Sequence, residues 1–379
     1  MHFAFTEEQE ELRAMARAFL ADHAGSEALR AASEGGLGHD AEVWKRIGGE
    51  LGWPSLIVPE AEGGLGLGFV ELAALLETTG EVLLCSPLFA TVALGANVLL
   101  AAGDEAQRGA LLPGIAEGHS IVTLAHAEAA GRWDADGVGA TCERRGDAFV
   151  LRGAKRHVVD GHCADHLLVS ARAPGSAGEA GVSLFVVPAD APGLTRRALP
   201  TMDRTRRLAT VELDGVEVPA SARLGEEGGA WPALSLALDR ATVALAAEQL
   251  GGAQRCLDLA VAYAKERVQF GRPIGSFQAV KHQCADMMVH VESARSAAYW
   301  AACIAADGGS ELPEAASMAK AWCSDAFFAC AAICLQIHGG VGFTWEYDVH
   351  LYLKRARSSA TLLGDASFHR ERVARRIGL

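Results

Sequence analysis

Arg267 and Arg272 frame the stretch with the clearest chemical content, Arg267-Val268-Gln269-Phe270-Gly271-Arg272-Pro273-Ile274-Gly275-Ser276-Phe277. Each guanidinium carries planar, permanently charged donors, and two of them around a tight turn suit a diphosphate. Basic residues at helix ends also answer the helix dipole, so the pair by itself leaves binding and dipole compensation both open. A second stretch, Gln336-Ile337-His338-Gly339-Gly340-Val341-Gly342, joins two helical patterns through three glycines. Without side chains there, backbone can approach a ligand or simply make a helix–helix turn.

Other constellations carry less. The glycine run Gly63-Gly64-Leu65-Gly66-Leu67-Gly68 has the look of a dinucleotide loop, but that fingerprint needs a βαβ unit. Only 55–58 is strand-like nearby, so a structural turn is expected. His162-Cys163-Ala164-Asp165-His166 has metal-ligand residue types without tetrahedral spacing, and no metal site is expected from it. No Gly-x-Ser-x-Gly elbow supports a hydrolase.

The elements that must position these residues follow from periodicity. Thr6 is a plausible N-cap, and Leu12, Met15, Ala16, Phe19 and Leu20 recur at helical spacing after it. Helices are also expected over about 40–51, 69–80, 87–102 and 104–112, which makes the first third all helical. From about 119 to 224 the pattern changes to short Val-rich runs at 148–151, 166–169, 182–187 and 209–218, separated by turn residues, as in a small antiparallel β domain. Helical patterns resume over about 231–267, 277–307, with Ser276 as its cap, 313–337, 347–361 and 366–377.

Composition narrows the function classes. The 379 residues hold 47 acids against 34 Lys plus Arg, a formal charge of −13, which argues against a nucleic-acid partner. Nine scattered cysteines with no Cys-x-x-Cys pair read as reduced thiols. The N-terminal residues lack a basic region followed by an apolar stretch, and no uninterrupted apolar run reaches about 18 residues. A cytoplasmic protein with no membrane insertion is expected.

The two chemically informative stretches, together with Leu51-Gly52-Trp53, Pro59-Glu60 and Gly63-Gly64-Leu65-Gly66, resemble the acyl-CoA dehydrogenase family, and the helix–strand–helix order extends that likeness over essentially the whole chain. The resemblance implies a mostly α fold with a central β domain: an N-terminal helical domain at 1–117, a middle β-barrel-like domain at 118–228 and a C-terminal four-helix bundle at 229–379. It implies FAD bound at the interface of a homotetramer or heterotetramer. Arg267, Gln269 and Phe270 would contact the adenine and diphosphate end of FAD bound mainly to a neighbouring subunit, and Gln336, Gly339 and Gly340 would line the same site. His157 and Val159 stand where the family has Trp and Thr beside the flavin ring. The family's Thr-Glu-Pro-x-x-Gly-Ser-Asp stretch reads Ala127-Glu128-Ala129-Ala130-Gly131-Arg132-Trp133-Asp134.

The implied reaction is α,β-dehydrogenation of an acyl-CoA thioester in fatty acid or sterol degradation, with electron-transferring flavoprotein or a similar acceptor. A carboxylate base is required. Most of the family places a Glu directly before a Gly in the C-terminal region, and here that stretch is Leu362-Leu363-Gly364-Asp365. Some members place the Glu early in the first C-terminal helix, a position that falls near Ala241. Asp239 and Asp365 are therefore the candidate bases. The alternatives are a half-site or non-catalytic partner subunit of a heteromeric dehydrogenase, and an enzyme acting on a carrier-protein-bound acyl group.

Overall fold

A computed structural model describes residues 5–379. Among the described residues the chain begins with six α-helices, α1 (Glu7–His23), α2 (Ser26–Glu34), α3 (Ala41–Gly49), α4 (Phe69–Glu81), α5 (Asn97–Ala102) and α6 (Glu105–Ala116), and a π-helical stretch, Phe89–Ala96, leads directly into α5. Eight strands follow: β1 (Val122–Ala125), β2 (Thr141–Arg145), β3 (Ala148–Val159), β4 (His166–Arg172), β5 (Val182–Pro188), β6 (Leu194–Ala198), β7 (Leu208–Pro219) and β8 (Arg223–Leu224). The C-terminal part holds α7 (Trp231–Glu266), the two-residue strands β9 (Val268–Gln269) and β10 (Arg272–Pro273), α8 (Gln278–Asp307), α9 (Leu312–His338), α10 (Val349–Thr361) and α11 (Ala366–Arg376). The expected order of helices, strands and helices is the observed one.

Contacts group the chain into two compact units that do not follow chain order. One gathers residues to Ala31, Phe69–Leu84 and Thr242–Leu379; the other gathers Ala32–Gly68 and Cys85–Ala241. In the first, α8, α10 and α11 pack on α9, and α4 packs on α1 and α8. By length and apolar composition alone α9, continued to Phe343, would cross a bilayer, but half of that window is buried inside the protein, as in a core helix. Its small residues Ala315, Ala316, Ala319, Ala326 and Ala331 are buried, which permits close helix approach. Phe277 rather than Ser276 is the N-cap of α8. Ser276 closes a short 3₁₀ turn, Ile274–Ser276, and α8 has no side-chain cap.

In the second unit the strand order is β6-β7-β3-β2-β4-β5-β8, with β1 joined to β4. The sheet is mixed rather than antiparallel, because β1 runs parallel to β4 and β2 touches β4 in parallel register. β1, fully buried and only four residues long, lacks the alternation that would mark it in sequence. β3 carries a register shift between Lys155 and Val158 against β7, and a bulge of this kind re-aims side chains. The Gly63–Gly68 run is a structural turn: the Gly64, Leu65, Gly66 and Leu67 amides donate to the Pro59, Ser55, Val58 and Leu56 carbonyls. A Cβ on Gly64 would stand 1.9 Å from the Val58 oxygen. With those amides already engaged, the run is no phosphate cradle.

Candidate functional site

The Arg267 stretch leaves the end of α7 as a miniature hairpin. β9 and β10 pair antiparallel, Gln269 opposite Arg272 and Val268 opposite Pro273, around Phe270-Gly271. Both turn residues have positive φ, 54° and 75°, the backbone of a type I′ turn, which favours Asn-Gly. Phenylalanine there is strained by roughly 1–2 kcal/mol, and Phe270 is also 90% exposed. Neither local conformation nor burial explains this residue. Arg272 lies over the Phe277 ring at 4.2 Å, and Phe270 meets Phe277 edge-on at 6.0 Å. Arg267 and Gln269 are exposed, and no ion pair engages the Arg267 guanidinium among the described residues.

The glycine stretch is brought alongside this hairpin. Tyr263, on the last turn of α7, stacks on His338, on the last turn of α9, at 4.2 Å and 21°. Tyr347 meets both rings edge-on. The hairpin leaves α7 just past one ring of the stack, and the 3₁₀ turn Gly339–Phe343 leaves α9 just past the other. Gly339 and Gly340 are exposed, and a Cβ on either would meet nothing within 4 Å. Gln336 is exposed on the same helix end. Exposed Phe343 and Trp345 follow directly. The result is an open surface of aromatic rings, uncrowded glycine backbone and an uncompensated cation, within a single unit.

The residues with flavin-side expectations lie in the other unit. His157 occupies the β3 bulge with φ 56° and is exposed, whereas Val159 is buried. Buried Lys155 pairs with half-buried Glu128 at 2.7 Å, and Lys155 Nζ also donates to the His126 carbonyl and Ser170 Oγ. Glu128 Oε1 accepts from the Gly139 and Ala140 amides, which fastens the 126–140 loop to β3. Burial lowers the Lys155 amine to about 8, although Glu128 acts to raise it. Burial likewise lowers His126, whose ring packs near Trp133 and Trp231, to about 3. Sequence reading placed Glu128 in the 127–134 stretch only by resemblance and did not pair it with Lys155. No local pattern shows that they meet.

The acids divide by environment. Asp239 is 3% exposed and sits within the third turn of α7, so it is not a helix cap. Asp365 is exposed and is the N-cap of α11, with Oδ1 accepting from the Phe368 amide at 2.8 Å. Leu363 is buried. Two further buried carboxylates meet cations: Glu77 pairs with Arg13 and Arg295 and accepts from the Tyr299 hydroxyl, and Glu248 pairs with Arg355. A general base needs apolar surroundings that raise its pKa. Asp160, His162 and Cys163 offer ligand atoms within 4.8 Å of one another. Burial pushes the Cys163 thiol up and its proton is shared with the Asp160 carbonyl, while His162 Nε2 contacts the Leu37 carbonyl, so the group reads as a hydrogen-bonded turn.

Comparison with known proteins agrees with this layout. Models of the acyl-CoA dehydrogenase N-terminal, middle and C-terminal domains match residues 6–119, 123–216 and 228–378. The chain is 36% identical over 366 residues to the acyl-CoA dehydrogenase IpdE2 of Mycolicibacterium smegmatis, covering 95% of each. Butyryl-CoA dehydrogenase from Megasphaera elsdenii superposes with a TM-score of 0.93 at 28% identity over all of both chains. A chain of the ChsE4-ChsE5 complex from Mycobacterium tuberculosis gives 0.89 at 29% identity, covering 100% of this chain and 99% of that one. With the three domain models matched in order along a chain of helices, mixed sheet and helices, this protein belongs to the acyl-CoA dehydrogenase family of CH–CH oxidoreductases.

Proposed function

We propose that the chain serves FAD-dependent α,β-dehydrogenation of an acyl-CoA thioester, with its electrons passing on to an electron-transferring flavoprotein or a similar acceptor. The observation that carries this reading is the strained, exposed Phe270 beside uncompensated Arg267 and the open Gly339-Gly340 backbone. These groups fit one end of a dinucleotide: a guanidinium for the diphosphate, a ring for stacking, and bare backbone for close approach. Flavin, when bound, supplies the hydride acceptor. Arg267, Gln269 and Phe270 would contact the adenine and diphosphate end of an FAD bound mainly to a neighbouring subunit, with Gln336, Gly339 and Gly340 lining the same site, and His157 and Val159 would stand on the side of a flavin ring. Removal of the α-proton falls to a carboxylate, and Asp239, buried on α7, is the acid we assign to it.

A half-site role in a heteromeric dehydrogenase is favoured by one specific observation: the position directly before Gly364 is a buried leucine. The ChsE4-ChsE5 relative is itself a two-component complex. The experiment is to express the chain alone, read its flavin absorbance, and titrate it anaerobically with butyryl-, octanoyl- and ring-bearing acyl-CoAs. The proposal expects bleaching of the flavin by one class and loss of bleaching by about 100-fold or more in Asp239→Asn. A yellow chain bleached by none supports the half-site reading, and bleaching by the acyl group on a carrier protein alone replaces CoA by that carrier.

A further inference from the structure

The hydrogen-bonded turn at Asp160–Cys163, between β3 and β4, also gathers metal-ligand atoms, and we infer that it binds a zinc-type divalent cation through one carboxylate, one imidazole and one thiolate, with water in the fourth position. This site goes beyond the dehydrogenase reading and stands without it. A carboxylate oxygen of Asp160, a ring nitrogen of His162 and Cys163 Sγ lie within 4.8 Å of one another. Ligand atoms around one zinc stand roughly 3–4 Å apart, so side-chain rotations closing about 1 Å complete the set. The 162–166 run alone has no tetrahedral spacing; the fold adds Asp160, which precedes it. His162 is the informative member. Its Nε2 lies 2.9 Å from the Leu37 carbonyl, and a carbonyl only accepts, so Nε2 carries the ring proton. Nδ1 keeps its lone pair, and it is buried without a hydrogen-bond partner among the described residues. Metal-bound histidines have this arrangement: one nitrogen donates to a backbone carbonyl, which fixes tautomer and ring orientation, and the other faces the cation.

The backbone beneath these side chains is already fixed. The Asp160 amide donates to the Arg207 carbonyl at 2.9 Å, and the Cys163 and Ala164 amides both return to the Asp160 carbonyl at 3.1 Å. Arg196 Nη1 donates to the Gly161 and Ala164 carbonyls at 3.1 and 2.6 Å. Asp160 sits at φ 51°, in left-handed backbone that Asp tolerates better than most residues. A turn held this way loses little further entropy on binding. The donor set selects the cation: thiolate and imidazole favour zinc or cobalt over magnesium and calcium, which take oxygen ligands. On binding, the Cys163 thiol, which donates to the Asp160 carbonyl at 3.3 Å, releases its proton to solvent and its sulfur turns to the cation. Two anionic ligands and a dication make the filled site neutral, so neighbouring Arg196 and Arg207 face no net positive charge. Within the same unit, the cation fixes the His162 ring against Leu37, beside the Ser33 and Gly35 carbonyls that Arg207 Nη2 already holds. Filling the site therefore fastens the 33–37 segment to the β domain.

The test uses the full-length chain as purified, with any bound flavin, after chelator treatment and desalting. The probe is cobalt(II), whose d–d bands in a tetrahedral thiolate-containing site lie to the red of flavin absorption. We expect intense bands that saturate at one cobalt per chain and are displaced by zinc. Zinc at about 100 times its dissociation constant should raise the thermal midpoint by roughly 5 °C. Cys163→Ser and His162→Gln should each weaken cobalt binding by about 100-fold or more and abolish the zinc-dependent shift. Cys334→Ser, which removes the thiol 3.8 Å from His338 Nδ1 on α9, should leave both readouts unchanged. Weak octahedral bands alone, or tetrahedral bands that persist in folded Cys163→Ser and His162→Gln, overturn the inference. Loss of the bands in Cys334→Ser with retention in Cys163→Ser overturns it as well, by moving the site to the other thiol. If Cys163→Ser does not fold, His162→Gln decides by the same criterion.

Discussion

Among the described residues, five non-glycine residues have positive φ: Leu83, His157, Asp160, Phe270 and Leu363. Three of them stand at positions with a chemical expectation, at the ring side, the nucleotide side and the base corner. Strain of roughly 1–3 kcal/mol at each survives only where its surroundings impose it, so backbone geometry marks these positions independently of the family likeness. Buried imidazoles define a second property at this scale. Burial lowers His39 to about 4 and His126 and His369 to about 3, from the usual 6.5. Below about pH 6.5 the unfolded chain binds protons that the folded chain refuses, so stability falls as pH drops from about 6.5 to about 3. Urea midpoints should therefore decline steadily between pH 7 and pH 4, with a shallower slope in His39→Gln. A midpoint flat over that interval would show these rings to be charged, or solvent-open, in the native state.

At the scale of elements, the hairpin of β9 and β10 shows how far sequence could go. Gly-Arg-Pro signalled the end of α7, and Arg267 through Phe270 carried the family likeness. The type I′ turn that strains Phe270 was not legible, because phenylalanine carries no turn signal. Long periodic helices such as α8 and α9 were legible to within about two residues. β1, β2 and β6 were missed because β1 is buried along its whole length and the other two are short, charged runs without an apolar alternation. α2 was missed for want of an apolar run. For the hairpin itself, Phe270→Asn should relax the turn and stabilise the apoprotein by about 1 kcal/mol, while lowering flavin affinity by roughly tenfold or more as base-stacking area is lost. Thermal melting of apoprotein and flavin titration check the two halves. An asparagine variant that gains stability and keeps full affinity would leave Phe270 without a role.

At the scale of the molecule, the unit containing α8 and α9 exposes Phe270, Phe343, Trp345, Met288, Val289, Trp322 and Phe328. So many exposed large apolar side chains on one unit suit an oligomeric assembly. Cooperation between copies or with a sister chain would complete the open nucleotide surface. The most direct measurement is a titration of the purified, deflavinated oligomer with FAD, followed by flavin fluorescence, for the wild type and Arg267→Ala. A saturable site in the wild type, weakened on the order of 100-fold by removing the guanidinium from the diphosphate, is the predicted result. Wild-type protein that leaves FAD fluorescence unchanged, or an Arg267→Ala variant that binds it equally well, would contradict the account.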